Sequence, residues 1–108
     1  TPLYSSAASD VYKRQVRQRV VQAHARALAR QGQANQWLAG AALDRHAQAT
    51  ADACRLLEAS ATRLGWSGRG LHRALKVART IADLAGCTEV QAVHVAEAVQ
   101  LRRVVKSE

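Results

Sequence analysis

The sequence predicts a small all-α domain, built as a four-helix bundle or orthogonal array. Three observations favour this fold class. The chain has 108 residues, which suits one domain. It contains only six Gly and one Pro, so strong helix breakers are few. Its apolar residues are 48% of the total, include no Phe, and recur at helical spacing. A β-sandwich or barrel would need more turn residues and more β-branched or aromatic residues.

The first fifteen residues, TPLYSSAASDVYKRQ, differ in amino-acid composition from the rest of the chain. They hold the only Pro, both Tyr and a cluster of Ser, and they predict a disordered or extended tail. The string LYSSAASDVYKRQ also resembles translated sequencing-adapter DNA. We therefore expect residues 1–15 to be non-native, the alternative being a genuine flexible N-terminus. Residues 16–108 are then expected to be the C-terminal fragment of a larger protein.

The first predicted helix runs from Val16 to Gln31, and Gly32 supplies its C-terminal stop. Its expected core-facing arc consists of Val16, Val20, Val21, Ala23, Ala27 and Leu28. Beside that arc lies a basic stripe of Arg19, Arg26 and Arg30. A polar connector with Trp37 follows, and then a short helical turn near residues 41–46. Trp37 and Trp66, which flank helix ends, are expected to be buried packing anchors.

Three further helices are predicted, each with a recognisable start or stop. The second runs from about Gln48 to Leu64 and ends at Gly65. Ser67 is the expected N-cap of the third helix, which ends at Gly86. Thr88 with Gln91 forms a predicted capping box for the fourth helix, which continues to about residue 104.

The third predicted helix carries a stripe of positive charge in a chain whose formal net charge is +8. Arg69, His72, Arg73, Lys76 and Arg79 fall opposite its apolar arc, and Asp83 alone interrupts the positive charge. Such a stripe can bind phosphates of a nucleotide or of a nucleic-acid backbone, although a solvated face is the plainer interpretation. Arg69 stands between two Gly in the first turn, where the helix dipole disfavours a cation. That position suggests a group held ready for an external anion.

Three segments, in this order, carry a family resemblance: VRQRVVQAHARALARQG, LGWSGRGLHRALKVARTIADLAG and VQAVHVAEAVQLRR. Together they resemble the C-terminal region of magnesium-chelatase-like AAA+ ATPases of the ComM/YifB type, over about residues 16–103. The ARTIADL stretch at residues 78–84 is the most specific part. In that family the region is the small helical lid after the ATPase core. Ser67–Arg69 matches the S-x-R pattern of the sensor-2 arginine, which implies that Arg69 reaches the γ-phosphate. Arg73 is a weaker candidate.

The resemblance also implies the setting in which the domain works. The parent protein would use ATP and Mg²⁺, assemble as a hexamer with its upstream AAA+ core, and act on DNA. Its expected activity is branch migration during recombination or natural transformation, in the cytoplasm and away from membranes. The present chain has no G-x-x-x-x-G-K-[ST] loop, so we expect it neither to hydrolyse ATP nor to bind it alone.

Two other functions stay open from the residues alone: a free-standing basic helical DNA-binding module and a helical protein-interaction module. Arg19, Arg26, Arg30, Lys76 and Arg79 are the candidate contacts to nucleic acid or to a neighbouring subunit. Four His and two Cys lack the spacing of a metal site, so no metal is expected. The two Cys are expected to be small buried apolar residues and not a disulfide.

Overall fold

The computed structural model describes residues 6–106 of the chain and the side chains of residues 8–103. Over this range the fold is all-α, as the sequence predicts. Its elements are α1 (Ser6–Gln31), a 3-10 turn (Asn35–Trp37), α2 (Gly40–Ala47), α3 (Ala51–Leu64), α4 (Gly68–Leu84) and α5 (Ala92–Lys106). The short turn that the sequence predicts near residues 41–46 is the helix α2. The described part of the chain therefore holds five α-helices, where the sequence predicts four with a short turn.

Helix α4 is the central element, and it packs against every other helix and against the 3-10 turn. Its core-facing side is dominated by small residues, with Ala74, Ala78 and Ala82 almost fully buried. Small side chains let neighbouring helices approach closely. The larger apolar residues of the core come from several elements: Leu38, Leu43, Leu57, Leu75, Val90, Val95 and Val99.

The ends of α3 and α4 are set by local caps. Gly65 ends α3 in the left-handed conformation, at φ 69°. The Ser67 hydroxyl accepts a hydrogen bond from the Gly70 N–H at 3.3 Å and caps α4. These two predictions are confirmed. The predicted start of the second helix at Gln48 is wrong by three residues, because Gln48 is left-handed and the Thr50 hydroxyl caps α3.

The start of α5 differs from the predicted Thr88–Gln91 capping box. Gln91 precedes the helix, and its N–H donates to Nδ1 of His94 at 2.9 Å. The His94 N–H in turn donates to the carbonyl of Gln91 at 3.0 Å. His94 thus fills the position that Glu or Gln occupies in a capping box. Because Nδ1 accepts a hydrogen bond, the proton of the neutral ring lies on Nε2.

A short parallel bridge ties two connections together. The Thr50 N–H donates to the Val90 carbonyl at 2.9 Å, and the Val90 N–H donates to the Gln48 carbonyl at 3.0 Å. These hydrogen bonds join the α2–α3 connection to the α4–α5 connection. Val90 itself is fully buried and fixes the second connection against the core.

Helix α1 begins at Ser6, so the prediction of a disordered or extended tail is wrong for residues 6–15. Residues 1–5 lie outside the described residues, and the non-native origin of the segment stays a prediction. Only Ala23 and Ala27 of the predicted apolar arc are buried. The other members, Val16, Val20, Val21 and Leu28, are exposed.

The two tryptophans differ in burial. Trp66 is half-buried and packs against the core, so its predicted packing role is confirmed but its predicted burial is only partial. Trp37 is 66% exposed, so the prediction that it is buried is wrong. Among the described helices, none has the length and apolar character that crossing a membrane would require.

Candidate functional site

The first turn of α4 presents the residue that the sequence singles out most strongly. Arg69 is exposed there, between Gly68 and Gly70, just after the capping Ser67. No acidic residue lies in this turn to neutralise it. The turn therefore exposes the planar guanidinium group of Arg69 and the positive end of the α4 dipole to the same region of solvent.

A second cation, Arg102 of α5, lies against the same turn. Its guanidinium carbon is 5.0 Å from the centroid of the Trp66 ring, within the range of a cation–π contact. A Cβ on Gly70 would lie 3.0 Å from Nη2 of Arg102 and 3.2 Å from Cβ of Trp66. Gly70 thus provides the space in which the two side chains stack. Within the described residues, the buried Nε of Arg102 has no hydrogen-bond partner.

Sequence reasoning missed Arg102, because the residue lies near the end of the last helix and its neighbours are distant in the chain. The glycine at position 70 was the one available signal. A glycine in the first turn of a helix indicates that another group lies close to the backbone there, but the sequence does not identify that group.

An open groove of about 840 Å³ runs between α4 and α5. Its apolar lining comes from Ala74, Val77, Ile81, Leu84, Ala98 and Leu101. The polar lining comes from Gln36, Arg73, Lys76, Thr80 and Arg102. Lys76 is half-buried, and its Nζ donates to the Gln36 carbonyl at 3.2 Å. Arg73 is exposed. The basic stripe predicted on this helix therefore borders the groove with Arg73 and Lys76.

Arg79 is a correction to the predicted stripe, since its side chain is fully buried and cannot contact a partner. Nη1 donates to the carbonyls of Ala47 and Thr88, each at 2.9 Å. Nη2 donates to the carbonyl of Cys87 at 2.9 Å and to Oδ1 of Asp83 at 3.0 Å. The predicted exposure is wrong because α2 and the α4–α5 connection cover this end of α4. Arg79 fixes both to the helix.

Asp83 is also buried, where the sequence predicts an exposed acid within a positive stripe. Its carboxylate accepts from Nη1 and Nη2 of Arg30 at 2.9 and 3.1 Å. Oδ2 also accepts from Nδ2 of Asn35 at 2.9 Å. Asn35 donates to the Thr80 hydroxyl as well, at 3.2 Å. Asp83 therefore binds the end of α1 and the 3-10 turn to α4, and with Arg79 it completes a buried charge network.

The ionisation of this network follows from its geometry. Burial alone would raise the pKa of Asp83 above its ordinary value of 3.8. Hydrogen bonds from Arg30 and Asn35, together with the charge of Arg79, outweigh burial and hold the pKa below 3.8. Burial lowers the pKa of Arg79, and the charge of Asp83 opposes that shift.

The arginines of α1 are divided between this network and the surface. Arg30 is held by Asp83, with only 15% of its side chain exposed, so the structure does not support its prediction as a partner contact. Arg26 is more exposed, and its Nη1 donates to the Asp83 carbonyl at 2.8 Å. Arg19 is exposed, and its contact role stays a prediction. The ARTIADL stretch thus has a structural role through Arg79 and Asp83.

The remaining reactive side chains are dispersed. In the described part of the chain, no three His, Cys, Asp or Glu side chains are grouped as metal ligands would be. Cys54 is exposed and Cys87 is half-buried, and both are free thiols. The prediction that both cysteines are buried is therefore wrong for Cys54.

Comparisons with known proteins cover most of the chain. Residues 12–102 match the family described as magnesium chelatase, subunit ChlI C-terminal. The competence protein ComM of Haemophilus influenzae is 36% identical over 92 residues, which are 85% of this chain and 18% of that protein. The uncharacterised protein YifB of Salmonella typhimurium is 38% identical over 89 residues, or 82% of this chain and 18% of that protein. No solved structure matches the chain significantly.

The all-α fold and the capped, arginine-bearing turn define a small helical domain whose sequence has no phosphate-binding loop. The chain belongs to the magnesium chelatase subunit ChlI C-terminal family, and it is a C-terminal domain of the ComM/YifB-like kind. It spans less than a fifth of the length of the curated relatives that it matches.

Proposed function

We propose that this domain is the nucleotide-sensing lid of a magnesium-chelatase-like AAA+ ATPase. In this proposal, ATP and Mg²⁺ bind mainly to an upstream core, and Arg69 contacts the γ-phosphate. The exposed position of Arg69 in the capped first turn of α4 is the observation that carries the proposal. A guanidinium suits this role because it stays charged and binds phosphate oxygens through its planar fork.

The surroundings of Arg69 support the same role. Gly68 keeps the start of the turn free of bulk, because a Cβ there would meet no atom within 4 Å, so a phosphate can approach the backbone. Arg102 adds positive charge at Gly70, and Arg73 lies one helical turn after Arg69. The helix dipole disfavours Arg69 in the isolated domain, and an anion bound there would remove that cost.

The wider function proposed is ATP-driven DNA branch migration during recombination or transformation, in a cytoplasmic hexamer. Its support is the family membership and the likeness to the competence protein ComM. The lid would close on bound nucleotide and relax after hydrolysis, in the manner of other phosphate-held switches. The fragment alone would have no ATPase activity, because its sequence has no phosphate-binding loop.

The test uses full-length ComM of Haemophilus influenzae in which residues 16–108 of this chain replace the corresponding C-terminal domain. Arg69→Ala should lower ATP turnover at least about tenfold, as expected for loss of a charge-assisted contact to the transferred phosphoryl group. Circular dichroism and thermal melting should be unchanged, because Arg69 is exposed. The measurement is steady-state phosphate release, with and without DNA.

Arg63→Ala is the matched control, since Arg63 is an exposed arginine at the end of α3. It should keep the turnover of the unmodified chimera. Unchanged turnover in Arg69→Ala would remove the sensor assignment. A chimera with no ATPase activity, while intact ComM hydrolyses ATP, would contradict the proposal that this domain is a functional lid.

A further inference from the structure

We propose that the groove between α4 and α5 is a docking surface for an amphipathic helix of a partner protein, with acidic residues beside its apolar face. The proposal does not depend on nucleotide binding or on Arg69. It rests on the exposed apolar lining of the groove, on the charge at its border, and on its length.

The lining of the groove is aliphatic and open to solvent. Val77 is 40% exposed and Leu101 is 51% exposed, on facing sides of the groove. Ile81 and Leu84 also line the groove and are half-buried. Covering such side chains with a partner is favourable because it removes apolar surface from water. Their grouping in one concave surface distinguishes them from scattered exposed apolar residues.

The charge along the groove selects the partner. Arg73, Lys76 and Arg102 all line it, and among the side chains that the structure describes no acidic one does. A partner with Asp or Glu flanking its apolar face would place opposite charges at each of these positions. The domain as a whole is strongly basic, which strengthens attraction of an acidic segment at longer range.

The length of the groove fits a helix. Its lining on α4 runs from Arg73 to Leu84, which is eleven helical steps or about 16 Å. A partner helix of about three turns covers that distance. Apolar side chains at positions i, i+3 or i+4, and i+7 would then face Val77, Ile81 and Leu84.

A second copy of the chain and a nucleic acid fit less well. The exposed apolar residues of α1 lie among Arg14, Arg17 and Arg19, so α1 of a second copy would bring cations against a cationic border. A phosphate backbone would neutralise the cations at the border of the groove but would leave its aliphatic lining exposed to water. An acidic amphipathic helix covers the aliphatic lining with its apolar face and pairs its carboxylates with the cations at the border.

The experiment titrates the 108-residue chain with a designed helical peptide carrying Leu at three- and four-residue spacing and Glu at the flanking positions. A second peptide has Lys in place of each Glu. Amide chemical shifts from two-dimensional NMR report where each peptide binds. The acidic peptide should cause saturable shifts among the groove residues, and the Lys peptide should bind at least tenfold more weakly.

Three variants make the test specific. Val77→Asp and Leu101→Asp should each weaken binding of the acidic peptide at least tenfold. Val93→Asp is the matched control, because Val93 is an exposed valine of α5 outside the groove, and it should bind as the unmodified chain does. Thermal melting checks that each variant is folded.

Several outcomes would overturn the proposal. These are no binding of the acidic peptide, equal binding of the Lys peptide, or equal effects of Val77→Asp and Val93→Asp. Binding of a DNA duplex would also contradict the proposal if it shifted the same groove amides and if Val77→Asp abolished those shifts. The occupant of the groove would then be nucleic acid. Loss of ATPase activity in Arg69→Ala has no bearing on these measurements, so the two proposals fail independently.

Discussion

Asp83 accepts hydrogen bonds from both terminal guanidinium nitrogens of Arg30, which lies 53 positions earlier in the chain. The two distances, 2.9 and 3.1 Å, describe a bidentate pair of the strong, charge-assisted kind. Oδ1 of Asp83 is shared with Arg79, at 3.0 Å. One buried carboxylate therefore pairs with two guanidinium groups and fixes the C-terminal end of α1 to α4.

Replacement of Asp83 is expected to destabilise the domain strongly. Asp83→Asn removes the negative charge but keeps the size of the side chain, and it leaves Arg79 buried without its counter-ion. Breaking a buried ion pair in this way costs about 3–5 kcal/mol of unfolding free energy. Urea denaturation at pH 7, followed by circular dichroism, measures the loss.

Asp52 supplies the control for this prediction. It pairs with Arg55 on the surface of α3, and both side chains are largely exposed. Exposed pairs of this kind contribute less than about 1 kcal/mol, so Asp52→Asn should change the unfolding free energy by no more than that. Equal losses in the two variants would show that burial of the Asp83 network does not govern stability.

The same carboxylate predicts a dependence of stability on acid. The pKa of Asp83 in the folded chain lies below its ordinary value of 3.8, so the folded state favours the ionised form. Its contribution to stability is therefore fully present above about pH 3.8 and is lost as the pH falls through the lower, folded pKa.

This acid dependence is measured as the difference in unfolding free energy between the unmodified chain and Asp83→Asn, from pH 7 down to the acid limit. The difference should stay constant near neutral pH and shrink below about pH 3.8. Other carboxylates titrate in both proteins, so their effects cancel. A difference that stays constant through the acid range contradicts the lowered pKa.

Two glycines in the same turn of α4 predict opposite effects on substitution by Ala. At Gly68 a Cβ meets no atom within 4 Å, so Gly68→Ala should stabilise the domain by about 0.5 kcal/mol through helix propensity. At Gly70 the added Cβ would press on Trp66 and on Arg102, at 3.2 and 3.0 Å. Gly70→Ala should therefore be less stable than Gly68→Ala by about 1 kcal/mol or more.

Thermal melting and urea denaturation of the two variants check this ordering. Fluorescence of Trp66 gives a separate measurement, since only Gly70→Ala should alter its contact with Arg102. To isolate the signal, both substitutions are made in a Trp37→Phe background. Equal stability of the two variants would mean that the Trp66–Arg102 stack does not require a glycine.

The caps of the helices could be predicted from the sequence because each depends on residues within one turn. Ser67 and Gly65 act on their own neighbours, so their residue types are sufficient signals. The start of α5 was missed because a His at the third helical position is not part of the usual capping-box pattern. His94 nevertheless accepts the same hydrogen bond from the Gln91 N–H.

The burial of Arg79 could not be predicted in the same way. Three of its four hydrogen bonds go to backbone carbonyls, of Ala47, Cys87 and Thr88. Every residue has a backbone carbonyl, so the residue types in the sequence do not show which carbonyls accept hydrogen bonds from Arg79. Helical periodicity placed Arg79 with the exposed cations, but the covering elements come from α2 and from the α4–α5 connection. The groove could not be predicted either, because Arg73 and Arg102 come together only when α5 packs on α4.

Helix α4 has a mechanical consequence for any motion of this domain. It is a rod of 17 residues, about 25 Å long, with Arg69 at one end and Asp83 at the other. If a ligand tilts the Arg69 end, the rod transfers the displacement to Asp83 without absorbing it. Arg30 and the whole of α1 must then follow, or the bidentate pair must break. A displacement of the first turn of α4 is therefore transmitted to the C-terminal end of α1.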